Sequence, residues 1–529
     1  MSMHRTILIG LDGATWTVLD PLMAGGHMPA LRALVGGGVR ADLRSTPHPL
    51  TPPAWTTLMT GVNPGRHGIF DFLRAERRKG GAFFTLNNYN DIRAETIWSI
   101  VSRSGGRVVS VNFPLMAPPP AIHGAVVPGM LSWKHLRANV HPAQLYDELK
   151  ALPEFDAREI SWDFEHEKKA LQHIPDDEAE EWVRWHIRRE QHWFKIVQHV
   201  MSREPADLVA VMFDGVDKLQ HACWRFLDPC LAGRSPSTFE QRMHALCREY
   251  FAKLDGFIAR IIEIAGSDAR IFVASDHGFG PTDTVFRVNN WLHERGWLAW
   301  PSEDANLQGG VRAAHHVPFD MVHTRAYAQS GATNGVHIRV SEEPGDGGVP
   351  PAEYESFRDQ LVRDLRAVRD PDTGQAIVRD ILRREDVFPG PHMHRAPDLT
   401  LVLFDHGFVS VVRTDEVIWK RPNVTGTHYP IGVLAATGPG LRRGARLAEQ
   451  NILDMAPTLL HSLGLPVPED FEGRVIADVF DSSWLRGHAV HAAGQTMQVA
   501  AEPTAPIPAE AAEQDEEIMD RLRALGYVE

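Results

Sequence analysis

Seven polar residues combine the side-chain types that hold two divalent metals beside a nucleophile. Carboxylates and imidazoles are common metal ligands, and a hydroxyl next to a metal can act as an alkoxide nucleophile. The seven residues occur at, or shortly after, the ends of predicted strands: Asp12, Thr51, Asp217, His221, Asp276, His277 and His428. This combination predicts a metal-dependent hydrolase of phosphate esters.

Spacing supports two of these pairs. Asp217 and His221 are four residues apart, so on a helix they share one face and can reach one ion. Asp276 and His277 are adjacent at a predicted strand end, and Gly278 leaves room beside them. The structural alternatives are a charged helix surface with a buried histidine for the first pair and a salt bridge for the second.

The other three residues are weaker evidence when each is taken alone. Asp12 could be a turn or helix-capping residue, and most loop histidines such as His428 bind nothing. Thr51 is followed by two prolines, and a helix is predicted to begin just after its hydroxyl, where free N–H groups favour an anion. A helix-capping threonine would explain the same residue without catalysis.

The ligand types also limit the choice of metal. Asp and His without Cys suit Zn²⁺, Mn²⁺ or Fe, whereas Ca²⁺ and Mg²⁺ prefer shells made of oxygen. The sequence therefore predicts two divalent ions, with zinc as the first choice and manganese as the alternative.

The elements that must position these residues are short apolar strands joined by amphipathic helices. This alternation is typical of an α/β fold with a parallel sheet, in which chemistry gathers at the carboxyl ends of the strands. The predicted strands are residues 6–11, 107–111, 207–213, 269–274, 399–404 and 432–436. The predicted helices are residues 28–36, 95–104, 250–264 and 454–463.

Length and composition indicate one large catalytic region with insertions. We predict a domain over residues 1–487, with inserted cap segments at about 120–200 and 300–395. The composition of residues 488–515 predicts a flexible tail, and residues 516–529 regain the pattern of a short helix.

Charge and cysteine content exclude some classes of protein. A formal charge of -14 is unfavourable for binding duplex nucleic acid. Three cysteines without a metal-binding spacing do not indicate a disulfide framework, and no apolar stretch has the length of a membrane span. We expect a cytoplasmic protein that acts on a small phosphate ester or nucleotide, and the sequence does not define its oligomeric state.

The order of the motifs resembles the alkaline phosphatase superfamily, specifically its type I phosphodiesterase/nucleotide pyrophosphatase branch. The resemblance covers about residues 5–480 and rests on motifs around the seven residues together with His67-Gly-Ile and Ala456-Pro-Thr. It implies an alkaline-phosphatase-like fold, with a mostly parallel central sheet, helices on both faces and inserted caps.

The resemblance also implies roles for the seven residues. Asp12, Asp276 and His277 would hold one metal together with the Thr51 oxygen, and the other metal would be held by Asp217, His221 and His428. Thr51 would attack the phosphorus and form a phosphothreonine intermediate, which water then hydrolyses. The implied enzyme is a phosphodiesterase or nucleotide pyrophosphatase. A phosphomonoesterase, a phosphomutase, a phosphotransferase and a non-catalytic metal-binding protein are the alternatives.

One position departs from the family pattern. Phe72 stands where this family has an Asn that binds a phosphoryl oxygen. Asn112 and Lys218 are the first candidates to replace it, and Asn289 and Asn290 are further ones. The departure leaves the preference between diesters and monoesters open.

Overall fold

The computed structural model describes residues 3–78, 81–161, 174–203, 205–231, 236–300, 319–343, 345–497 and 499. Strands and helices alternate along most of these ranges. The strands are β1 (Thr6–Leu11), β2 (Val39–Arg44), β3 (Leu73–Arg78), β4 (Gly81–Leu86), β5 (Val108–Val111), β6 (Gly124–Val127), β7 (Leu208–Phe213), β8 (Arg270–Ala274), β9 (Gly278–Arg287), β10 (Ala326–Tyr327), β11 (Gly335–Ile338), β12 (Val378–Arg383), β13 (Leu399–Leu403), β14 (Val409–Ser410), β15 (Ile418–Tyr429), β16 (Ile431–Thr437), β17 (Ala445–Arg446) and β18 (Gln450–Asn451).

Fifteen α-helices lie within the described ranges. They are α1 (Trp16–Ala24), α2 (Pro29–Gly37), α3 (Thr51–Thr60), α4 (Pro64–His67), α5 (Ile97–Arg103), α6 (Trp133–Asn139), α7 (Gln144–Lys150), α8 (Asp176–Arg203), α9 (Gly215–Leu227), α10 (Thr238–Ala265), α11 (Val288–Glu294), α12 (Tyr354–Arg366), α13 (Arg384–Val387), α14 (Met455–Leu463) and α15 (Ser482–Gly487).

A nine-stranded sheet forms the centre of the molecule. Its strand order is β17-β2-β16-β8-β1-β7-β5-β6, and β18 pairs with β2 beside this path. β1 runs parallel to β7 and β8, whereas β16 is antiparallel to both of its neighbours. The predicted mostly parallel central sheet is therefore confirmed.

Helices cover both faces of this sheet. β1 is entirely buried, with Ile7 and Ile9 on one face and Leu8 on the other. The first face packs against helices that include α1, α2, α8 and α10, and the second packs against helices that include α3, α5 and α14. Burial on both sides explains why these strands read as continuous apolar runs rather than alternating ones.

The predicted strand at residues 399–404 forms but does not belong to the central sheet. Leu399–Leu403 lies in a four-stranded sheet of order β10-β11-β13-β12 and is antiparallel to β11 and β12. A third apolar core, which includes Leu401 and Leu403, buries this strand. Its buried, apolar sequence gave the right element, but such a pattern cannot identify the sheet that a strand joins.

The two predicted insertions also contain sheet. Strand β6 lies inside the predicted segment 120–200 and forms one edge of the central sheet, whereas α6, α7 and α8 supply its helices. Residues 319–395 carry β10, β11, β12 and α12, and residues 301–318 lie outside the described residues. Of the predicted tail, Ala492 pairs with Val467 in an isolated bridge. The predicted helix 516–529 lies outside the described residues.

The two longest helices, α8 and α10, each have 28 residues and each present a charged face. Their buried residues recur at helical spacing, which is the pattern of helices that cover a core. Within the described ranges, no helix is both long enough and apolar enough to cross a bilayer.

Trp55 on α3 anchors the core on one face of the central sheet, so its truncation should destabilise the fold. Its side chain is fully buried, it contacts Phe113 edge to face, and a Cβ at Gly10 would lie 2.7 Å from its ring. We expect Trp55→Ala to lower the free energy of unfolding by about 3–5 kcal/mol in urea denaturation. The control is Trp133→Ala, because Trp133 is 41% exposed and should lose about 0.5 kcal/mol or less. Similar losses in both variants would contradict the anchoring role.

Candidate active site

Three of the predicted residues meet at the carboxyl ends of two neighbouring strands. Asp12 follows β1, and Asp276 and His277 follow β8. His277 Nε2 lies 3.6 Å from Asp12 Oδ1 and 3.2 Å from Asp276 Oδ2. The three ligand atoms lie within 4.8 Å of one another, so they could hold one metal ion. We call these residues the Asp12 group.

A second trio, which we call the Asp217 group, comes from α9 and β15. Asp217 and His221 share a face of α9, and His428 lies on β15. His428 Nε2 lies 3.0 Å from both Asp217 Oδ1 and His221 Nε2. These ligand atoms also lie within 4.8 Å of one another.

The expectation that His428 occupies a loop is wrong. It lies on strand β15 and is paired with Phe279 of the antiparallel strand β9. The Gly and Pro residues around His428 indicated a loop. Strand β15 accommodates such residues because it is irregular, with a register shift between Lys420 and Thr425. The pairing fixes His428 beside the residues that follow β8.

The two groups are immediate neighbours, and Thr51 lies beside one of them. The His277 and His428 rings stack with centroids 3.6 Å apart. Thr51 Oγ1 lies 3.4 Å from His277 Nε2. Thr51 is the first residue of α3, and Leu50 is its N-cap. The hydroxyl of Thr51 is therefore not the helix cap that the structural alternative required.

Each histidine of the two groups is oriented by a main-chain carbonyl. The Nδ1 atoms of His221, His277 and His428 lie 3.1, 3.2 and 2.9 Å from the carbonyl oxygens of Gly426, Gly278 and Pro49. An N–H donated from Nδ1 leaves the lone pair on Nε2, and this is how proteins fix the tautomer of a metal-binding histidine. All three Nε2 atoms face the other members of their groups.

Each carboxylate of the two groups is buried and has one oxygen without a well-formed hydrogen bond. Asp12, Asp217 and Asp276 are 1%, 2% and 1% exposed. Asp12 Oδ1, Asp217 Oδ1 and Asp276 Oδ2 accept no well-formed hydrogen bond, although Asp217 Oδ1 is close to His428. Burial of unpaired carboxylates is costly, whereas coordination to a cation compensates it. These donors therefore fit divalent metal ions.

Electrostatics differ between the two groups. Burial, reinforced by the charges of Asp276 and Asp217, raises the pKa of Asp12 well above its usual value. Burial also raises the pKa of Asp276. Burial would raise the pKa of Asp217 as well, but His221 and Lys218 hold it well below its usual value.

Gly13 is required beside Asp12 for two reasons. Its φ of +66° is in the left-handed region, and a Cβ there would lie 2.7 Å from the Phe279 ring. Its N–H donates to Asp276 Oδ1 at 3.1 Å. The turn after β1 can therefore approach the end of β8 closely enough to bring Asp12 and Asp276 together.

A buried ion pair supports the helix that carries Asp217 and His221. Asp214 precedes α9 and accepts two hydrogen bonds from Arg189 of α8, at 2.6 and 2.9 Å, and both side chains are fully buried. The adjacent Glu190 accepts from the N–H of Gly215 at 2.7 Å. Sequence analysis missed Arg189 and Glu190, because neighbouring charges on a long helix carry no signal that distinguishes them from surface residues.

The candidate substrate-binding residues have different positions. The Asn112 amide donates to Met212 O and Asp214 Oδ1, and the side chains of Asn289 and Asn290 bond to neighbouring loops. Lys218 alone among these candidates lies beside the ligand groups, with Nζ 3.4 Å from Asp217 Oδ2. Phe72 packs against the third apolar core and offers no side-chain hydrogen-bond donor.

The protein has an alkaline-phosphatase-like fold, and two candidate metal sites lie next to each other in it. A crystal structure of phosphonoacetate hydrolase from Sinorhizobium meliloti 1021 matches with a TM-score of 0.50 and 18% identity, over 87% of this chain and 95% of that one. Murine ectonucleotide pyrophosphatase/phosphodiesterase 5, an inactive variant in complex with AMP, matches with a TM-score of 0.51 and 14% identity, over 90% and 100%.

The chain belongs to the type I phosphodiesterase/nucleotide pyrophosphatase family, whose model matches residues 6–430. The resemblance inferred from the sequence motifs is thereby confirmed. A shorter similarity connects it to 2,3-bisphosphoglycerate-independent phosphoglycerate mutase of Cereibacter sphaeroides (strain ATCC 17025), with 34% identity over 86 residues. This match spans 16% of this chain and 16% of the mutase.

Removal of the Arg189 guanidinium should destabilise the protein and disturb the Asp217 group. Arg189→Met removes the guanidinium partner of the buried Asp214 carboxylate at the start of α9, and such a change typically costs about 3–5 kcal/mol. We expect this loss in urea denaturation, together with weaker zinc binding in equilibrium dialysis. The matched control is Arg188→Met, because Arg188 is 44% exposed and pairs at the surface with Glu181. Equal behaviour of the two variants would contradict the supporting role of Arg189.

Proposed function

We propose that this protein is a metal-dependent hydrolase of phosphate esters that acts on diesters or nucleotide pyrophosphates. Its family membership supports the class of reaction. The observation that carries the proposal is the meeting of two metal-ligand groups beside the buried hydroxyl of Thr51. In this scheme the Asp12 group and the Asp217 group each hold one divalent ion, with zinc preferred and manganese as the alternative.

The metals would supply charge at the point where the reaction needs it. When bound, two divalent ions lower the pKa of a neighbouring hydroxyl and neutralise the charge on the phosphoryl oxygens. The protein residues hold the ligand atoms within reach of one another and exclude bulk water, since the seven site residues are at most 4% exposed. Water exclusion strengthens every electrostatic interaction within the site.

Thr51 is the proposed nucleophile. Its hydroxyl loses its proton to solvent, and the oxygen attacks the phosphorus while the bond to the leaving oxygen breaks. The products of this step are a phosphorylated Thr51 that still carries the second organic group of the substrate, and an alcohol or phosphate whose oxygen takes up a proton from solvent. Water then attacks the same phosphorus and the bond to Thr51 Oγ1 breaks, which releases the second product and restores the hydroxyl.

We further propose that Lys218 binds a phosphoryl oxygen. This is the role of the Asn that the family has at the position of Phe72. Lys218 is on α9 beside Asp217, and its side chain is 15% exposed. An ammonium at this point supplies a positive charge and hydrogen-bond donors to an anionic substrate. Phe72 can supply neither.

Replacement of Thr51 tests the nucleophile. We expect Thr51→Ala to lower kcat for 4-nitrophenyl phosphate diesters by at least about a thousandfold, with zinc content unchanged by elemental analysis. Thr56→Ala is the matched control on the same helix, because the Thr56 hydroxyl donates to the Pro52 carbonyl at 2.7 Å. Its activity should stay within a few-fold of the parent protein. Full activity of Thr51→Ala would remove Thr51 from the scheme.

Metal removal tests the two sites. We expect the protein to be inactive after a chelator has removed its metal. When Zn²⁺ is added back, it should bind two zinc ions per chain, and titration with Zn²⁺ or Mn²⁺ should restore activity. Asp217→Ala should bind about one ion, because it removes a ligand from one group and leaves the other intact. Bound metal should also raise the melting temperature, since it binds the native state preferentially. A chelated protein with unchanged activity would contradict the proposal.

Phosphotransfer to an acceptor other than water is the second candidate function. The short similarity to phosphoglycerate mutases favours it. The two functions share the phosphothreonine step and differ in what attacks that intermediate. Product analysis in the presence of excess alcohol distinguishes them. A transferase passes the phosphoryl group to the alcohol and forms a new phosphate ester, whereas a hydrolase passes it to water. Matched mono- and diesters in the same assay would establish which ester class is preferred.

A further inference from the structure

An aromatic side chain lies against the histidines of the Asp217 group. Phe408 is in the loop between β13 and β14 and is half-buried. Its ring contacts His428 edge to face, with centroids 4.9 Å apart, and lies 6.4 Å from the His221 ring. A third histidine, His48, is 6.2 Å away. Phe408 thus places apolar surface directly beside one of the two candidate metal sites.

The loop holds this ring in a defined position. The side chain of Asn334 donates to the Gly407 carbonyl at 3.0 Å and accepts from the Val409 N–H at 2.8 Å, which fixes the residues on both sides of Phe408. The Thr427 hydroxyl also donates to the His406 carbonyl at 3.2 Å. Asn334 is buried and His406 has a φ of +57°. A ring held in this way offers a contact surface at little entropic cost.

The positions of Thr51 and Phe408 indicate the direction in which the leaving group of a substrate extends. Thr51 lies beside the Asp12 group, 3.4 Å from His277, whereas Phe408 contacts the Asp217 group. In an in-line displacement the leaving oxygen is opposite the attacking oxygen. In the reaction proposed above, the leaving oxygen therefore points toward the Asp217 group, and the organic group attached to it extends toward Phe408.

We propose that Phe408 is a specificity-determining residue that contacts the group on the leaving oxygen and favours a flat aromatic group over a short alkyl group. The inference rests on the proposed function, because it takes its direction from attack by Thr51. An aromatic ring prefers edge-to-face or offset contact with another ring, and such pairs add to the effect of apolar burial. A short alkyl group offers much less surface to the ring.

The test compares two diesters that differ in the leaving group. For the zinc-loaded protein, we expect Phe408→Ala to lower kcat/KM for 4-nitrophenyl methyl phosphate by roughly tenfold, and for 2,2,2-trifluoroethyl methyl phosphate by less than about twofold. Phe408→Tyr should retain the aryl preference. Phe404→Ala is the matched control, because Phe404 is four residues earlier and 53% exposed. It should change neither rate.

A binding measurement separates this inference from the proposed function. By calorimetry, the zinc-loaded parent protein should bind phenylphosphonate more tightly than methylphosphonate, and Phe408→Ala should remove the difference. If the parent protein hydrolyses neither ester, the proposed function fails, and the binding preference still tests the contact. Equal losses for both esters with reduced zinc content would show that Phe408 only supports the histidines. Unchanged rates and affinities in Phe408→Ala would exclude the contact. Each of the last two results would overturn the inference.

Discussion

The burial of three aspartates at one edge of the central sheet is the constraint on which the site depends. Asp12, Asp217 and Asp276 are almost inaccessible to solvent, and each has an oxygen without a well-formed hydrogen bond. Carboxylates in this position repel one another and lose their hydration. Lys218 beside Asp217 balances one negative charge. Cations that compensate the others would stabilise the folded state, because the unfolded chain does not assemble their ligands.

The surrounding structure fixes the positions of these aspartates and of the histidines beside them. Gly13 allows β1 and β8 to bring Asp12 and Asp276 together, and main-chain carbonyls orient the three imidazoles. Asp217 and His221 depend on a more distant support, since α9 begins next to the buried pair of Arg189 and Asp214. Helix α8 belongs to the segment predicted as an inserted cap, and its Arg189 places part of the support of the site in that segment.

The sequence was sufficient where the signal is local. Asp12, Asp217 and Asp276 follow apolar runs that are parallel strands, and the carboxyl ends of such strands meet. It was insufficient where position depends on long-range pairing. Strand β13 has the pattern of a central strand but joins another sheet, and His428 lies on a strand because of its pairing with β9. Arg189 is 28 residues from Asp217 and Phe408 is 20 residues from His428, the nearest of the seven predicted residues in each case, so no local spacing connects them to the site.

The two ligand groups are similar in composition but differ in the residues that surround them. The Asp12 group has the hydroxyl of Thr51 on one side and carboxyl groups whose pKa values are raised by burial. The Asp217 group has a carboxyl group with a lowered pKa, a lysine and an aromatic ring. In the proposed reaction this difference would have a use, because the attacking oxygen and the leaving oxygen of a phosphoryl transfer require different partners.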